Sequence, residues 1–223
     1  MIDEALNALK AGQFVLLYDF DDRERETDII IRSDAVTPRH IMKLRRDCGG
    51  LICTAVSPKA AERLGLPFAS DIFEGTGFGE KTGDVPYDRK NHSSFSLWVN
   101  HRSTFTGITD KDRALTITGV ADQVKKSLNG GGHNFGAEFR TPGHCALLRA
   151  ADGLLSVRRG QTELSIAMAE MAGFNPAVTM CEMLDNETGL ALSKEGAKAY
   201  AKEHGLVFVE GKDVVEQWNK GNK

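Results

Sequence analysis

Between Asp19 and Asp28 the chain reads Asp-Phe-Asp-Asp-Arg-Glu-Arg-Glu-Thr-Asp, six acids and two arginines in ten residues. If Glu24 to Asp28 is extended, Glu24, Glu26 and Asp28 project to one side, and Arg23, Arg25 and Thr27 to the other. One loop then offers carboxylates to a hard cation or a proton, and guanidinium groups to an anion. A solvated charged turn between two strands has the same composition.

Three further clusters fall where elements end, the usual place for chemistry. Thr104 to Asp110 sets hydroxyls and free N–H groups just before a helix, a seat for an anion or an ordinary capped turn. His144 is the one histidine that follows a Pro-Gly pair, at the mouth of a strand. His40, His92, His101, His133 and His204 read as surface or loop residues. Arg158-Arg159-Gly160-Gln161-Thr162-Glu163 brings guanidinium groups and a hydroxyl to a helix N-terminus, where dipole and free amides favour phosphate; Thr162 can equally be a plain helix cap. Glu182 leaves an apolar strand beside Cys181. A carboxylate near a low-dielectric core suits proton transfer, and a paired surface acid fits the same spacing.

The elements that must hold these residues follow from apolar periodicity. Ile2, Ala5, Leu6 and Leu9 predict a helix closed by Gly12, followed by strands over 14–18 and 28–32. Thr37-Pro38 opens a helix that ends before Gly49-Gly50; 51–56 is a strand, and Ser57-Pro58 starts a short helix ending at Gly65. From 66 to 92 the pattern fails, as in a lid or another irregular segment. Strands are expected at 94–100, 145–148, 177–182 and 206–209. Helices are expected from an Asp110 cap toward Lys126 in broken form, from a Thr162 cap to Ala172, over 193–204 and over 213–218. Strands alternating irregularly with helices predict one α/β (α+β) domain over 1–223, built on a mixed sheet.

Composition narrows the class. The 223 residues are 41% hydrophobic and 26% charged, with a net charge of −3. There is no basic stripe interleaved with aromatics, so nucleic acid is not an expected partner. No apolar run reaches the ~20 residues of a membrane span. Cys48, Cys53, Cys145 and Cys181 lack metal or disulfide-framework spacing, and the N-terminus lacks signal-peptide features, so a cytoplasmic protein with reduced thiols is expected.

Taken in order, the motifs are far more specific than any one of them. They run Arg23-Glu24-x-Glu26-x-Asp28, Gly49-Gly50-Leu51-Ile52-Cys53, Phe105-Thr106-Gly107-Ile108-Thr109-x-x-Asp112-Arg113, Phe139-Arg140-x-Pro142-Gly143-His144, Leu148-Arg149-Ala150, Arg158-x-Gly160-x-Thr162-Glu163 and Cys181-Glu182-Met183. From residue 2 to residue 210 the chain resembles the 3,4-dihydroxy-2-butanone 4-phosphate synthase family of riboflavin biosynthesis, in its short, single-domain, archaeal-like form. The resemblance implies conversion of ribulose 5-phosphate to 3,4-dihydroxy-2-butanone 4-phosphate and formate with Mg²⁺ (Mn²⁺ as the alternative, two divalent ions per site). It implies a mixed α/β sandwich and a homodimer whose sites lie between subunits, His144 reaching the other chain's acidic loop.

By the same resemblance Glu24 holds metal, and Arg23, Glu26 and Asp28 meet the sugar. Arg158, Gly160, Thr162 and the Thr106-Gly107 turn hold phosphate, His144 and Glu182 move protons, and Cys53 lines the pocket. One position departs: where the family's Arg-x-Gly-His-Thr-Glu motif has a metal-binding His, this chain has Gln161. A neutral amide oxygen binds a hard cation but donates less strongly than imidazole. Weakened metal affinity is the first expectation and loss of turnover the second, which would leave a sugar-phosphate-binding homologue.

Overall fold

Strand residues alternate between two apolar clusters, and this parity puts helices on both faces of one sheet. The computed structural model describes residues 1–74, 76, 87–88, 90–131 and 134–221. The strands are β1 (Val15–Tyr18), β2 (Thr27–Arg32), β3 (Cys53–Val56), β4 (Phe95–His101), β5 (Phe139–Arg149), β6 (Ala177–Glu182) and β7 (Val207–Glu210). They form a single sheet in the order β4-β5-β3-β6-β2-β1-β7. β3–β5 and β1–β7 are parallel pairs, and the remaining neighbours are antiparallel. The helices are α1 (Ile2–Lys10), α2 (Pro38–Asp47), α3 (Pro58–Leu64), α4 (Ala69–Phe73), α5 (Asp110–Leu128), α6 (Phe135–Glu138), α7 (Gln161–Ala172), α8 (Lys194–His204) and α9 (Gly211–Gly221).

Val15, Leu17, Ile30, Ala146 and Met180 point to one face, where they pack with Leu9 of α1, Leu164 and Met168 of α7 and Val214 of α9. Leu16, Ile29, Ile31, Cys145 and Cys181 point to the other, against Ile41 and Leu44 of α2, Ile117 of α5 and Ala197 of α8. Leu147 and Val99 continue that second layer with Leu64 of α3 and Val120 of α5. Full burial of a Leu or Ile is worth about 1.5–3 kcal/mol, so both layers resist a register slip. The same parity decides where chemistry can sit: Cys53, Asp28, Leu148, Met180 and Glu182 all fall on the α1–α7–α9 face.

The mixed α/β architecture agrees with the sequence reading, while several boundaries move. α5 is one continuous 19-residue helix, capped by Thr109 rather than Asp110: the Thr109 hydroxyl accepts from the Asp112 N–H at 3.1 Å. Gly160, not Thr162, is the N-cap of α7; Glu163 supplies the cap by accepting from the Gly160 N–H at 3.3 Å. α9 extends beyond the expected 213–218, and β3 begins at Cys53 rather than Leu51. Within the expected irregular stretch 66–92, α4 and several flanking residues are described. Residues 75, 77–86 and 89, part of the stretch read as a lid, lie outside the described residues, as does His133.

The largest difference concerns β5, which runs from Phe139 and not from Cys145. Val99 of β4 pairs with Cys145 while the next residue, Asn100, pairs with Arg140. Thr141 to His144 are therefore inserted residues inside a long strand, a multi-residue bulge and not a turn at a strand mouth. Gly143 makes the bulge possible, because a Cβ there would overlap the Val99 carbonyl and the Asn100 nitrogen. Gly143→Ala is accordingly expected to lower unfolding free energy by about 3 kcal/mol, the upper end of ordinary overpacking. Urea denaturation of the purified variant measures this.

Candidate active site

Asp19 organises the acidic loop from beneath. It is 1% exposed and accepts from the backbone N–H groups of Glu24 at 3.0 Å and Glu26 at 3.1 Å, and from Arg23 Nη1 at 3.3 Å. Arg25 breaks the expected extended run with a φ of 61° and turns back to donate to the Asp21 carbonyl at 2.6 Å. Glu24, Glu26 and Asp28 still converge, lining a cavity of about 230 Å³ with Cys53, Leu148, Arg158, Gln161, Thr162 and Glu182. Ser93, Ser94, Phe95, Tyr87 and Met180 complete its wall.

The carboxylates compete with one another. Asp28 and Glu182 are direct partners across the β2–β6 ladder, a pairing that like charges disfavour. Burial, followed by the charges of Glu182 and Glu24, holds the Asp28 carboxyl well above the ordinary range. Burial, then Glu24 and Glu182, pushes Glu26 up to about 7. Glu182 is raised by burial and restrained by the Leu51 N–H, which donates to its Oε2 at 2.8 Å. Gly50 permits that approach, since a Cβ there would lie 2.5 Å from Glu182 Oε2. Burial, with Glu182 and Asp28 adding to it, pushes the Cys53 thiol up, so Cys53 faces the cavity as a neutral thiol.

Two arginines stand beside these acids. Arg158 donates to the fully buried Glu163 at 2.5 Å, and Glu163 also accepts from the Ala151 N–H at 3.0 Å. Arg23 is bound to Glu24 at 3.0 Å and lies 5.0 Å from the Tyr87 ring centroid. A Cβ on Gly160 would overlap Arg158 Nη1 and crowd Arg23 Nη2, so both guanidinium groups press on the N-cap of α7. Two arginines at a helix N-terminus make an anion seat.

Gln161 is fixed beside Glu26. Its Nε2 donates to the Leu17 carbonyl at 3.0 Å and the Glu26 carbonyl at 3.1 Å, while its Oε1 is buried without a hydrogen-bond partner. Asp28 Oδ1 is likewise buried and unpartnered. No group of three or more His, Cys, Asp or Glu side chains able to hold a metal ion occurs among the described residues. Mg²⁺ does not require one, since it commonly takes one or two protein oxygens and fills its shell with water and substrate oxygens. The donors present, Glu24 and Gln161 Oε1, fit that habit.

Five expected site residues are not on the cavity wall: Arg23 and Gly160, which lie against Arg158, and His144, Thr106 and Gly107. The last three cluster instead around Asn100 on the β4–β5 side of the molecule. Asp112 fastens the Thr106–Gly107 turn, accepting from the Gly107 N–H at 2.8 Å and the Thr106 N–H at 3.2 Å. Asp19 and Glu163 stand within motifs the sequence offers but without a role of their own there, and Asn100 and the Leu51 amide are not marked by residue type at all. Glu163 carried a legible signal, since an acid three residues after an N-cap is the capping-box spacing; the backbone amide carried none.

Fold and cavity together define an α/β protein with a pocket lined by acids and by the first turn of α7. The 3,4-dihydroxy-2-butanone 4-phosphate synthase family model matches residues 3–217, and the chain belongs to that family. It is 54% identical to the 3,4-dihydroxy-2-butanone 4-phosphate synthase of Methanosarcina acetivorans, over 97% of this chain and 90% of that protein. It is 53% identical to the synthase of Archaeoglobus fulgidus, over 98% and 94%. A solved synthase in complex with two magnesium ions superposes with a TM-score of 0.80 at 27% identity, covering 98% of this chain and 96% of that one. No described helix is long and apolar enough to cross a membrane.

The raised carboxylates carry a pH signature. A carboxyl whose folded value lies above its unfolded value stabilises the fold while protonated, and that stability is lost as pH rises through the folded value. For Glu26 the window runs from its ordinary 4.5 to about 7. The urea midpoint without metal is expected to rise as pH falls from 7.5 to 5. Glu26→Gln should flatten that slope, which paired urea titrations at the two pH values measure.

Proposed function

We propose that the chain converts D-ribulose 5-phosphate into 3,4-dihydroxy-2-butanone 4-phosphate and formate in the acid-lined cavity. The observation that carries this reading is the convergence of Glu24, Glu26, Asp28 and Glu182 with Arg158, Gln161 and Thr162 on one cavity, in a member of this family. Glu24 and Gln161 Oε1 hold Mg²⁺, with Mn²⁺ as an alternative and room for a second ion among the acids. A cation held there would supply Lewis-acid polarisation of the ketose, making its α-proton removable.

The remaining work belongs to side chains. Arg158 at the α7 N-terminus, with Gly160, Thr162 and the Thr106–Gly107 turn, seats the phosphate, whose binding energy positions the sugar that Arg23 also contacts. Glu26 and Asp28 contact the sugar hydroxyls. Glu182 stands beside the reacting carbons with its proton affinity raised by burial, so it can take a proton and return it as water is expelled and the skeleton rearranges. His144 is the second proton carrier. Cys53 bounds the pocket.

Because His144, Thr106 and Gly107 lie off this chain's cavity, we read the working form as a homodimer in which a second copy supplies them. Phe105, 93% exposed, and Ile108, 50% exposed, flank that turn and give it an apolar surface suited to cover by another chain.

The test is formate release from ribulose 5-phosphate with Mg²⁺. Glu24→Ala and Glu182→Gln should each lower kcat by about 10²–10⁴-fold, the range of a lost acid–base group or its equivalent. Gln161→His should give half-maximal activity at a lower Mg²⁺ concentration. The second reading, a sugar-phosphate binder silenced by Gln161, predicts binding of ribulose 5-phosphate with no formate until Gln161→His is made. The free Gln161 Oε1 favours the first reading, since the amide keeps a donor oxygen available.

A further inference from the structure

Asn100 is 4% exposed near the end of β4 and lies between the His144 bulge and the Thr106–Gly107 turn. Its amide can be oriented from its partners alone. Asn100 Oδ1 accepts from the His144 backbone N–H at 2.9 Å, and a backbone N–H can only donate. Asn100 Nδ2 faces the Thr106 carbonyl at 3.4 Å, which can only accept. The same Nδ2 lies 3.1 Å from His144 Nδ1, nearer than Oδ1 at 3.3 Å. An amide nitrogen carries two hydrogens, one for each of these acceptors. Among the described residues, the hydrogen bonds to the His144 ring come from Asn100 alone.

Close packing holds the arrangement. A Cβ on Gly107 would overlap the Asn100 amide, and a Cβ on Gly143 would overlap the Asn100 backbone nitrogen. Turn, bulge and amide are therefore in mutual contact, and none can shift without the others.

We propose that Asn100 is a positioning residue for the reaction: it fixes neutral His144 as the tautomer with its proton on Nε2, and it ties that ring to the Thr106–Gly107 turn. Neutral His144 then presents a proton donor at Nε2, and the group that moves protons and the turn that seats an anion travel as one rigid piece. The inference rests on the reading of His144 as a proton carrier given above, and its test separates the two. Asn100→Asp replaces the donor beside Nδ1 with an acceptor, which draws the ring proton to Nδ1 and turns Nε2 into a base. Asn100→Ala releases both the ring and the turn.

The experiment is nitrogen-resolved NMR of the histidine side chains at pH 8, with His144→Ala assigning the resonance, alongside formate-release kinetics. Wild-type protein is expected to show His144 protonated on Nε2, and Asn100→Asp to show it on Nδ1. Asn100→Asp should lower kcat by about 10²-fold or more with little change in KM, the signature of a misplaced proton and not of lost binding. Asn100→Ala should lower kcat and raise KM together. A wild-type spectrum with the proton on Nδ1 overturns the proposal without any variant. A folded Asn100→Asp protein that keeps the wild-type tautomer and the wild-type kcat overturns it as well. Undiminished activity in His144→Ala instead overturns the proton-carrier reading, while the spectrum judges the tautomer independently.

Discussion

Mutual repulsion among buried carboxylates is the constraint around which this molecule is arranged. Asp28 and Glu182 are held opposite each other on adjacent strands, with Glu26 and Glu24 close enough to raise their proton affinity. Left in a low-dielectric interior, such a cluster would be costly. The fold answers with backbone amides and arginines. Asp19 is bound by the amides of Glu24 and Glu26, Glu182 by that of Leu51, and Arg23 pairs with Asp19 and Glu24 while Arg158 pairs with Glu163. What remains uncompensated is a local excess of negative charge and proton affinity, the property a cation-assisted enolisation uses.

Sheet parity explains why so many of these groups meet. Cys53, Asp28, Leu148, Met180 and Glu182 come from four strands and share a face because each sits at the right step of a two-residue alternation. Of the helices that cover this face, α7 brings Gln161 and Thr162 at its first turn, so the helix N-terminus and the acidic wall meet at one packing interface. The buried Arg158–Glu163 pair anchors the approach to that helix.

Much of this was legible in the residues. Apolar periodicity placed a part of every strand, though it left out the first six residues of β5, and the charged decapeptide marked most of the acidic wall. The errors share one physical origin, interactions between segments distant in sequence. Thr141–His144 looks like a turn because Pro-Gly is turn chemistry. It lies within a strand because β4 pairs on both sides of it. Thr162 looks like a cap because hydroxyls cap helices, yet Glu163 reaches back to Gly160 and leaves Thr162 on the cavity wall. The Leu51 amide and the orientation of Asn100 depend on neighbours more than forty residues away, and no local pattern encodes them.

Gln161 also has a mechanical meaning. With two N–H groups it bridges the Leu17 and Glu26 carbonyls, one at the end of β1 and the other in the loop leading into β2. An imidazole that gives one nitrogen to a cation keeps a single N–H and can hold only one of these carbonyls. The amide thus exchanges ligand strength for a second tether across the mouth of the hairpin. In this chain the acidic loop is braced by the protein before any ion arrives, whereas a histidine at the same place would leave part of that bracing to the metal.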